Sequence, residues 1–557
     1  MTTDDRLRVV LGWHMHQPDY RDAQTGHFMA PWVYLHAIKD YADMAAHLEA
    51  TPGACAVVNF TPVLLDQLED YAQRIDVCLC EGRQIGGLLL DTLAQPVLAL
   101  DEERRRAVVR ACLRANRHRM IERFTPYRQL ADIAAIALEH PSGFAYLDDA
   151  FVFDLLVWHN LAWLGESVRS DRRAAALVEK ARRFSRHDRG VLLELIRDVI
   201  ADLPRRYRAL AAQSRVELST TPYTHPILPL LLDFASAREA NASLPLPLAS
   251  GYPGGAERVR WHLARAQAMH ERQFGTPPEG CWPSEAALSE AALAVLEAAG
   301  FAWTASSLTV LRNSLAQPDP GSDRLHRPYR LRDAGPVMFF RDDVLSDLIG
   351  FTYKDWAAGD AVGDLLRRLE SIAAEPAGPG RVVSIVLDGE NAWEHYPENG
   401  RAFLGELYAR LAAHPRIVLT TFARCLRDPA VPVLRLERLV AGSWVYGDLA
   451  TWIGHADKNR AWDLLVEAKT AFDAGDAEAQ RRAERQLGVC EGSDWFWWPG
   501  DWNPGAEIGE FERLFRVHLA GLYRLLQREV PEHLGQPFAR GGATAAEASP
   551  TPMRTHR

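Results

Sequence analysis

The chain has 557 residues, 48% of them hydrophobic, which is enough for a large catalytic domain with an attached module. Its formal net charge of -10 argues against nucleic acid as the main partner, because no excess of positive charge meets the phosphates. The seven cysteines have no zinc-site spacing, and no run of about 18 apolar residues could cross a membrane. No charged-then-apolar leader opens the sequence, so we expect a soluble cytoplasmic protein without a disulfide framework.

The first predicted strand, residues 7–13, is followed by the sequence HMHQP at residues 14–18. Residues two apart on an extended segment point to the same side, so His14 and His16 share one face. Three interpretations are open: ligands of a metal, as in barrel hydrolases with a His-x-His motif, hydrogen-bonding groups of a substrate pocket, or structural histidines. A metal site needs further ligands, and the sequence offers none at a recognised spacing.

A second strand is predicted at residues 56–60, and a charged helical block at about 101–210 is interpreted as an insertion. A third strand at residues 216–219 is followed by His225, for which pocket lining and a structural role are both open. Further on, the sequence CWPSE at residues 281–285 predicts the start of a helix, with Ser284 as N-cap and Glu285 in the first turn. A glutamate in that position needs no function, so the pattern alone does not make it catalytic.

Two more strands are predicted at residues 301–306 and 337–340, and Arg341 at the end of the second could hold a carboxylate charged or form a surface ion pair. A helix at 361–373 leads to the most informative stretch, RVVSIVLDGENAW at 381–393. Its unbroken apolar run predicts a strand buried on both faces, with acids at the carboxyl end, where α/β barrels place their chemistry. Residues 416–420 are predicted to be the last of about seven strands, which indicates a barrel or near-barrel.

The character of the sequence changes after about residue 430. Residues 443–469 combine loop aromatics with a helix, residues 490–503 are rich in Trp and acids, and an amphipathic helix is predicted at 507–528. We therefore expect a catalytic domain at 1–430, a helical domain at 431–536 that contributes to the active-site cleft, and a disordered tail of low hydrophobicity at 537–557.

Five segments, in order, resemble the signature regions of glycoside hydrolase family 57. They are HMHQP at 14–18, THPILP at 224–229, GCWPSE at 280–285, VLDGENAWE at 386–394 and TWIGHADKNRAW at 451–462. The resemblance covers most of the chain to about residue 530. The segments LSDLIGF at 345–351 and EGSDWFWW at 491–498 are most similar to the α-amylase and amylopullulanase branch of that family. The resemblance implies an α/β fold, a (β/α)7 barrel that is an incomplete TIM-like barrel, and a retaining mechanism without a cofactor.

By motif position, the resemblance implies that Glu285 is the nucleophile and Asp388 the general acid/base. Cleavage of a glucosidic bond through an oxocarbenium-like transition state needs a carboxylate on one ring face and a proton donor at the leaving oxygen. Asp388 must then hold its proton near neutral pH, so we expect burial and the charge of Glu285 to raise its pKa. Glu390 is a rival for the acid role, because it points to the same strand face.

The remaining candidate residues are expected to bind substrate without a metal. The histidines would hydrogen-bond sugar hydroxyls, and Trp282, Trp393 and Trp452 are candidates for rings that stack on a sugar. The predicted substrate-binding set comprises His14, His16, Gln17, His225, Trp282, Arg341, Glu390, Trp393, Trp452, His455, Asp494 and Trp495.

We therefore expect a retaining hydrolase that cuts α-1,4 bonds in glycogen, starch or maltodextrin. The sequence leaves open whether it also cuts α-1,6 bonds. A 4-α-glucanotransferase or glycogen branching enzyme on the same fold is the main alternative. A metal-dependent hydrolase using His14 and His16 and a catalytically inactive glucan-binding module are two others. An α-glucan is the expected partner, and the sequence leaves the oligomeric state open.

Overall fold

The computed structural model describes residues 5–539 and 541, apart from 141, 316–323, 377, 502 and 504. Its strands are β1 Leu7–Met15, β2 Ala56–Phe60, β3 Val216–Thr220, β4 Gly280–Cys281, β5 Trp303–Ser307, β6 Tyr329–Leu331, β7 Ala334–Arg341, β8 Val382–Asp388, β9 Ile417–Thr420 and β10 Leu434–Leu436.

The α-helices are α1 Trp32–His36, α2 Ala42–Ala50, α3 Pro62–Glu81, α4 Leu88–Ala94, α5 Glu102–Cys112, α6 Thr125–Glu139, α7 Asp149–Ala162, α8 Glu166–Arg169, α9 Arg172–Lys180, α10 Arg186–Ala212, α11 Leu228–Leu232, α12 Gly255–Phe274, α13 Glu290–Ala298, α14 Leu308–Leu315, α15 Asp343–Asp347, α16 Ala358–Ala374, α17 Arg401–Ala412, α18 Phe422–Arg427, α19 Ala456–Asp473, α20 Ala477–Cys490, α21 Asp494–Trp497 and α22 Gly505–Leu525. Among the described residues, π-helical turns occur at Ala37–Tyr41, Arg117–Ile121 and Leu348–Thr352. Short 3-10 turns occur at Phe144–Tyr146, Phe234–Arg238, Ser284–Ala286, Tyr353–Asp355, Trp393–His395, Pro397–Gly400 and Glu532–Gly535.

Seven parallel strands close into a barrel in the order β7-β5-β4-β3-β2-β1-β8, and β8 pairs back to β7. The register places His14 opposite Asp388 on neighbouring strands, and Thr220 opposite Cys281. Carboxyl ends of parallel strands meet at one end of a barrel, so the polar residues that follow them converge there. The (β/α)7 barrel prediction is confirmed.

The sequence predicted the right number of barrel strands, but one of the strands it counted does not belong to the barrel. The predicted last barrel strand is β9, which lies outside the closed ring and pairs only with residues 7–10 of β1. The strand that completes the ring is β4, which has two residues and therefore no periodic signal. Gly280 is required there, because a Cβ atom would come within 1.8 Å of the Trp303 ring.

The block between β2 and β3 is helical, with α5 to α10 in the stretch interpreted as an insertion.

The amphipathic helix at 507–528 is α22, with Ile508, Leu514 and Leu519 buried. No α-helix among the described residues is long and apolar enough to cross a membrane. Of the tail beginning at 537, Phe538 contacts the Phe515 ring, and residues 540 and 542–557 lie outside the described residues.

A buried charge cluster joins the C-terminal helices to the barrel. The Glu491 carboxylate, just after α20, accepts hydrogen bonds from Arg258 on α12 at 2.8 and 2.9 Å and from Tyr252 at 2.5 Å, and His262 lies 2.7 Å away. The charge of Arg258 and the hydrogen bond to His262 outweigh the effect of burial and lower the pKa of Glu491 to about 2. Removing one partner would leave a buried charge unpaired, so the cluster fixes the segment that follows Glu491 against the barrel.

Candidate active site

Asp388 is the last residue of β8, at the end of the apolar run that fixes the strand in the barrel. The side-chain amide of Asn391 donates a 2.7 Å hydrogen bond to its Oδ2. Burial raises the pKa of Asp388, and the charge of Asp494 adds to the effect, while the Asn391 hydrogen bond opposes it. The carboxyl group is therefore suited to hold a proton at a pH where exposed aspartates are ionised.

Glu285 lies in a strained turn and not in the first turn of a helix. Its φ is +57°, within the 3-10 turn Ser284–Ala286 that follows β4. The predicted N-cap at Ser284 is wrong, because α13 begins at Glu290 and Ser289 caps it. A left-handed conformation at a residue other than Gly persists only where its surroundings hold it, and it is common at functional sites.

Groups distant in the sequence hold the Glu285 carboxylate. The Trp444 indole N–H donates to Oε2 at 3.0 Å, and the Trp444 backbone N–H donates to the Glu285 carbonyl at 3.2 Å. The Ser493 hydroxyl lies 3.4 Å from Oε1, and His225 Nδ1 lies 3.8 Å from the same atom. Burial, with the charges of Asp388 and Asp494, raises the pKa of Glu285 to about 8.

Three histidine rings stack beside these carboxylates. The rings of His16 and His225 have centroids 3.9 Å apart, and those of His14 and His225 are 5.0 Å apart. Burial lowers the pKa of His14 to about 3 and that of His225 well below its ordinary value, so both rings are neutral.

A chain of hydrogen bonds through the neutral rings leads to Glu285. His14 Nδ1 is 2.7 Å from Asn59 Oδ1, His14 Nε2 is 3.0 Å from His225 Nε2, and His225 Nδ1 is 2.8 Å from Ser493 Oγ. The Asn59 oxygen only accepts, so His14 donates from Nδ1 and must accept at Nε2 from His225. His225 then accepts at Nδ1 from the Ser493 hydroxyl, whose oxygen can accept a hydrogen bond from Glu285 when that carboxyl is protonated.

The second half of the HMHQP segment contacts both the C-terminal region and the β8 loop. His16 Nε2 lies 3.0 Å from Asp494 Oδ1, and the His16 backbone N–H donates to Glu390 Oε1 at 3.1 Å. The Gln17 side-chain amide lies 3.4 Å from the same Glu390 oxygen, and the Tyr20 hydroxyl donates to Gln17. Hydrogen bonds and close contacts thus join seven of the predicted residues into one site: His14, His16, Gln17, His225, Glu285, Glu390 and Asp494. Asp388 lies within range of the charges of this site, since its own charge raises the pKa of Glu285.

The sequence model of glycosyl hydrolase family 57 matches residues 10–432 of the chain. The chain belongs to glycoside hydrolase family 57. Membership of this family identifies it as a glycoside hydrolase enzyme. No curated protein sequence matches the chain.

Solved structures of the family share the fold at low sequence identity. A GH57 branching enzyme of Thermococcus kodakaraensis aligns with TM-score 0.57 at 16% identity, over 96% of this chain and 94% of that one. A GH57-type branching enzyme of Pyrococcus horikoshii aligns with TM-score 0.55 at 17% identity, over 99% and 100%. An α-amylase of Thermotoga maritima aligns with TM-score 0.54 at 13% identity, over 95% of each chain. Identities this low show the fold and not the reaction.

Several predicted binding residues of this family member lie away from the connected site. Trp393, Trp452 and Trp495 are almost fully buried, and the indole N–H groups of Trp393 and Trp495 donate to backbone carbonyls. His455 caps α19, where its side chain accepts from the Asp457 backbone N–H. Rings without an exposed face cannot stack on a sugar, so in this structure Trp393 and Trp452 are core residues and do not act as platforms.

Two other predicted residues lie beside the site: Arg341, for which a carboxylate partner and a surface ion pair were both open, and Trp282, a candidate for a ring that stacks on a sugar. The Arg341 guanidinium binds Asp343 at 3.0 Å and Asp347 at 2.6 Å, so its hydrogen bonds do not go to Asp388. It lies 5.4 Å from the Trp444 ring centroid and acts on Asp388 only through its charge. Trp282 is buried, and its ring meets the edge of Trp444 at 5.5 Å.

Sequence reasoning did not single out Trp444 and Ser493, which contact the Glu285 carboxylate, or Asn59, which contacts His14. Trp444 and Ser493 lie in the aromatic segments after residue 430. The clustering of Trp there indicated that the segments matter, but it did not predict which residues contact the catalytic acids. Asn59 lies in β2, opposite His14 in the strand register, and an Asn in an otherwise apolar five-residue strand was a usable signal.

One group of residues in the site has the spacing of metal ligands. His16, His225 and Asp494 each offer a ligand atom, and these atoms lie within 4.8 Å of one another. All three side chains already take part in hydrogen bonds, His16 with Asp494 and His225 with His14 and Ser493. Two imidazoles and a carboxylate are ligands that transition metals accept. The hydrogen bonds of these three side chains also explain their arrangement without a metal ion.

Glu390 is predicted to tolerate replacement by its amide. Its side chain is 2% exposed, and burial with the charge of Asp388 raises its pKa well above the ordinary value, so the group is neutral. We expect Glu390→Gln to keep kcat within about threefold, because the amide oxygen can still accept from His16, whereas Glu390→Ala loses that bond and leaves a cavity costing about 2–4 kcal/mol. Kinetics on maltoheptaose and thermal unfolding measure both, and a Glu390→Gln enzyme without activity would transfer the acid role from Asp388 to Glu390.

Proposed function

We propose that the protein is a retaining hydrolase of α-1,4-glucosidic bonds in glycogen, starch or maltodextrin, with α-1,6 bonds as a further target. The observation that carries the proposal is that Glu285, after β4, and Asp388, at the end of β8, lie close enough for the charge of Asp388 to raise the pKa of Glu285. His225, which stacks on His14 and His16, lies 3.8 Å from the Glu285 carboxylate. The raised pKa values of both acids support a pair in which one holds a proton while the other is ionised.

The proposed mechanism uses the two acids in turn. Ionised Glu285 attacks the anomeric carbon and forms a covalent glycosyl-enzyme, while Asp388 gives its proton to the leaving glycosidic oxygen. Asp388, now ionised, takes a proton from water, whose oxygen attacks the anomeric carbon and releases Glu285. The Trp444 indole N–H, which donates to Oε2, fixes the Glu285 carboxylate for the attack.

The proposed division of the chain assigns both halves to the site. The barrel at 1–430, with the helical insertion at about 101–210, supplies the catalytic acids and the three histidines. The region at 431–536 supplies Trp444, Ser493 and Asp494, each in contact with a barrel residue of the site. A cytoplasmic location is supported by the seven cysteines, all of which are free thiols.

Transfer to a sugar hydroxyl is the second candidate. The observation that favours it is the overall similarity to the branching enzymes of Thermococcus kodakaraensis and Pyrococcus horikoshii, which both align over more than nine-tenths of this chain. The segments at 345–351 and 491–498 favour hydrolysis, since they resemble the amylase branch. Water and a sugar compete for the same glycosyl-enzyme, so product analysis on maltoheptaose, amylose and pullulan separates the two. Net release of reducing ends supports hydrolysis, and redistribution of chain lengths without it supports transfer.

A chelator is expected to leave the activity unchanged. The mechanism above uses two carboxylates, and His16, His225 and Asp494 are engaged in hydrogen bonds with one another and with their neighbours. We expect kcat on maltoheptaose to stay within about 20% after treatment with 1,10-phenanthroline or EDTA and gel filtration. Activity that disappears and returns with zinc would instead support the metal-dependent hydrolase.

A further inference from the structure

Lys458, in the first turn of α19, is a lysine whose side chain is fully buried. Burial lowers the pKa of Lys458 to about 7, because an ammonium group loses its hydration inside the protein. Its Nζ atom donates hydrogen bonds to the carbonyl oxygens of Phe496 at 2.7 Å and Trp497 at 2.8 Å. These carbonyls belong to the last turn of α21, where a helix leaves its carbonyl groups without partners of its own. Lys458 therefore caps the carboxyl end of α21.

The other end of α21 contacts the candidate active site. Ser493, directly before the helix, lies 3.4 Å from Glu285 Oε1. The carboxylate of Asp494, the first residue of the helix, lies 3.0 Å from His16 Nε2. The buried charge cluster at Glu491 fixes the chain just before this segment, and the lysine fixes the chain at its end. Both contacts with the site thus lie between two anchors made of buried charged side chains.

We propose that Lys458 is a positioning residue of the active site, which acts by holding Ser493 and Asp494 in place. The inference rests on the proposed function. Because α21 is about one turn long, loss of the donor at its carboxyl end is expected to shift its amino end as well. A displacement of about 1 Å at groups that contact the catalytic machinery can lower a rate by about 10²-fold. The lysine thus acts on turnover through these two contacts.

The test removes the ammonium group and keeps a long unbranched side chain. Lys458→Met should lower kcat/KM on maltoheptaose about tenfold, measured per folded enzyme, because both carbonyls lose a donor. Lys458→Gln, which keeps a polar end on a shorter side chain, carries the same comparison if Lys458→Met does not fold. Lys469→Met is the matched control, since Lys469 is another buried lysine of α19 and pairs with Asp473 at 2.5 Å. It should lower Tm without changing kcat/KM.

A double-mutant cycle separates positioning from a general loss of stability. In a Ser493→Ala/Asp494→Ala background the contacts that Lys458 holds are already gone, so Lys458→Met should lower kcat/KM by less than about twofold. A tenfold loss in that background as well, an equal loss in Lys469→Met, or full activity of Lys458→Met would overturn the inference and leave the proposed hydrolase standing. A wild-type enzyme inactive on maltoheptaose, amylose and pullulan would overturn the proposed function, and this inference with it.

Discussion

Glu285→Gln is expected to lower kcat on maltoheptaose by at least about 10⁴-fold, while the oligosaccharide still binds. The amide is close in size to the carboxylate but cannot form the glycosyl-enzyme, so the step that depends on nucleophilic attack is lost. The carbonyl oxygen of the amide can still accept the Trp444 N–H bond, so the pocket should keep its shape. Reducing-sugar assays measure the turnover, and calorimetric titration with maltoheptaose measures binding.

Glu257→Gln provides the matched control for the nucleophile variant, because Glu257 is an exposed glutamate on α12. The same chemical change there should leave kcat unaltered and should lower the free energy of unfolding by at most about 1 kcal/mol, because Glu257 is in the first turn of the helix. Full activity in the Glu285→Gln enzyme would rule out the proposed nucleophile. Loss of both activity and maltoheptaose binding would mean that the change disrupted the pocket and not only the chemistry.

Asp388→Asn is expected to lower kcat/KM on maltoheptaose by about 10²–10⁴-fold, because the leaving oxygen no longer receives a proton. An α-maltosyl fluoride should be affected much less in the first step, since fluoride leaves without protonation. Azide should then restore turnover, because it attacks the glycosyl-enzyme without a general base, and the product should be an α-glycosyl azide. Equal losses on both substrates, with no effect of azide, would contradict the acid/base role.

The pH dependence follows from the same pair. Turnover requires an ionised Glu285 and a protonated Asp388, so the pair must hold one proton. Activity should therefore rise with pH as the pair loses its first proton and fall as it loses its second. Because burial and the charges of Asp388 and Asp494 raise the pKa of Glu285 to about 8, the falling limb should lie near that pH. In Asp388→Asn only Glu285 titrates, so the falling limb should disappear, and activity should rise with a pKa below that of Glu285 in the wild type, since one negative charge near it is removed.

The parts of the site built on regular strands could be predicted from the sequence. The apolar run that ends in Asp388 fixes β8 in the barrel, and the strand before His14 does the same for β1. Both residues then lie at the carboxyl ends of parallel neighbours, where their Cα atoms are in register. The unbroken apolar pattern of each strand, and the position of the polar residue at its end, were enough to predict this arrangement, because a buried parallel strand has a strong sequence signature.

The parts that depend on tertiary contacts could not be predicted in this way. The turn at Glu285 follows a two-residue strand, and its left-handed conformation is held by Trp444, 159 positions further along the chain. Ser493 reaches the same carboxylate across 208 positions. Trp393 shows the opposite error, since an aromatic next to catalytic acids suggested a sugar platform, yet its ring fills the core against Trp13.

The identity of the residue that carries the glycosyl group is the most direct test of the account. A fluorinated α-maltosyl fluoride that forms the glycosyl-enzyme quickly and releases it slowly should add one sugar to the protein. Peptide mass spectrometry should then locate that sugar on Glu285, and Glu285→Gln should not be labelled. A sugar on Asp388 would reverse the two roles. An unlabelled wild-type enzyme that releases a product of inverted anomeric configuration would contradict the retaining mechanism itself.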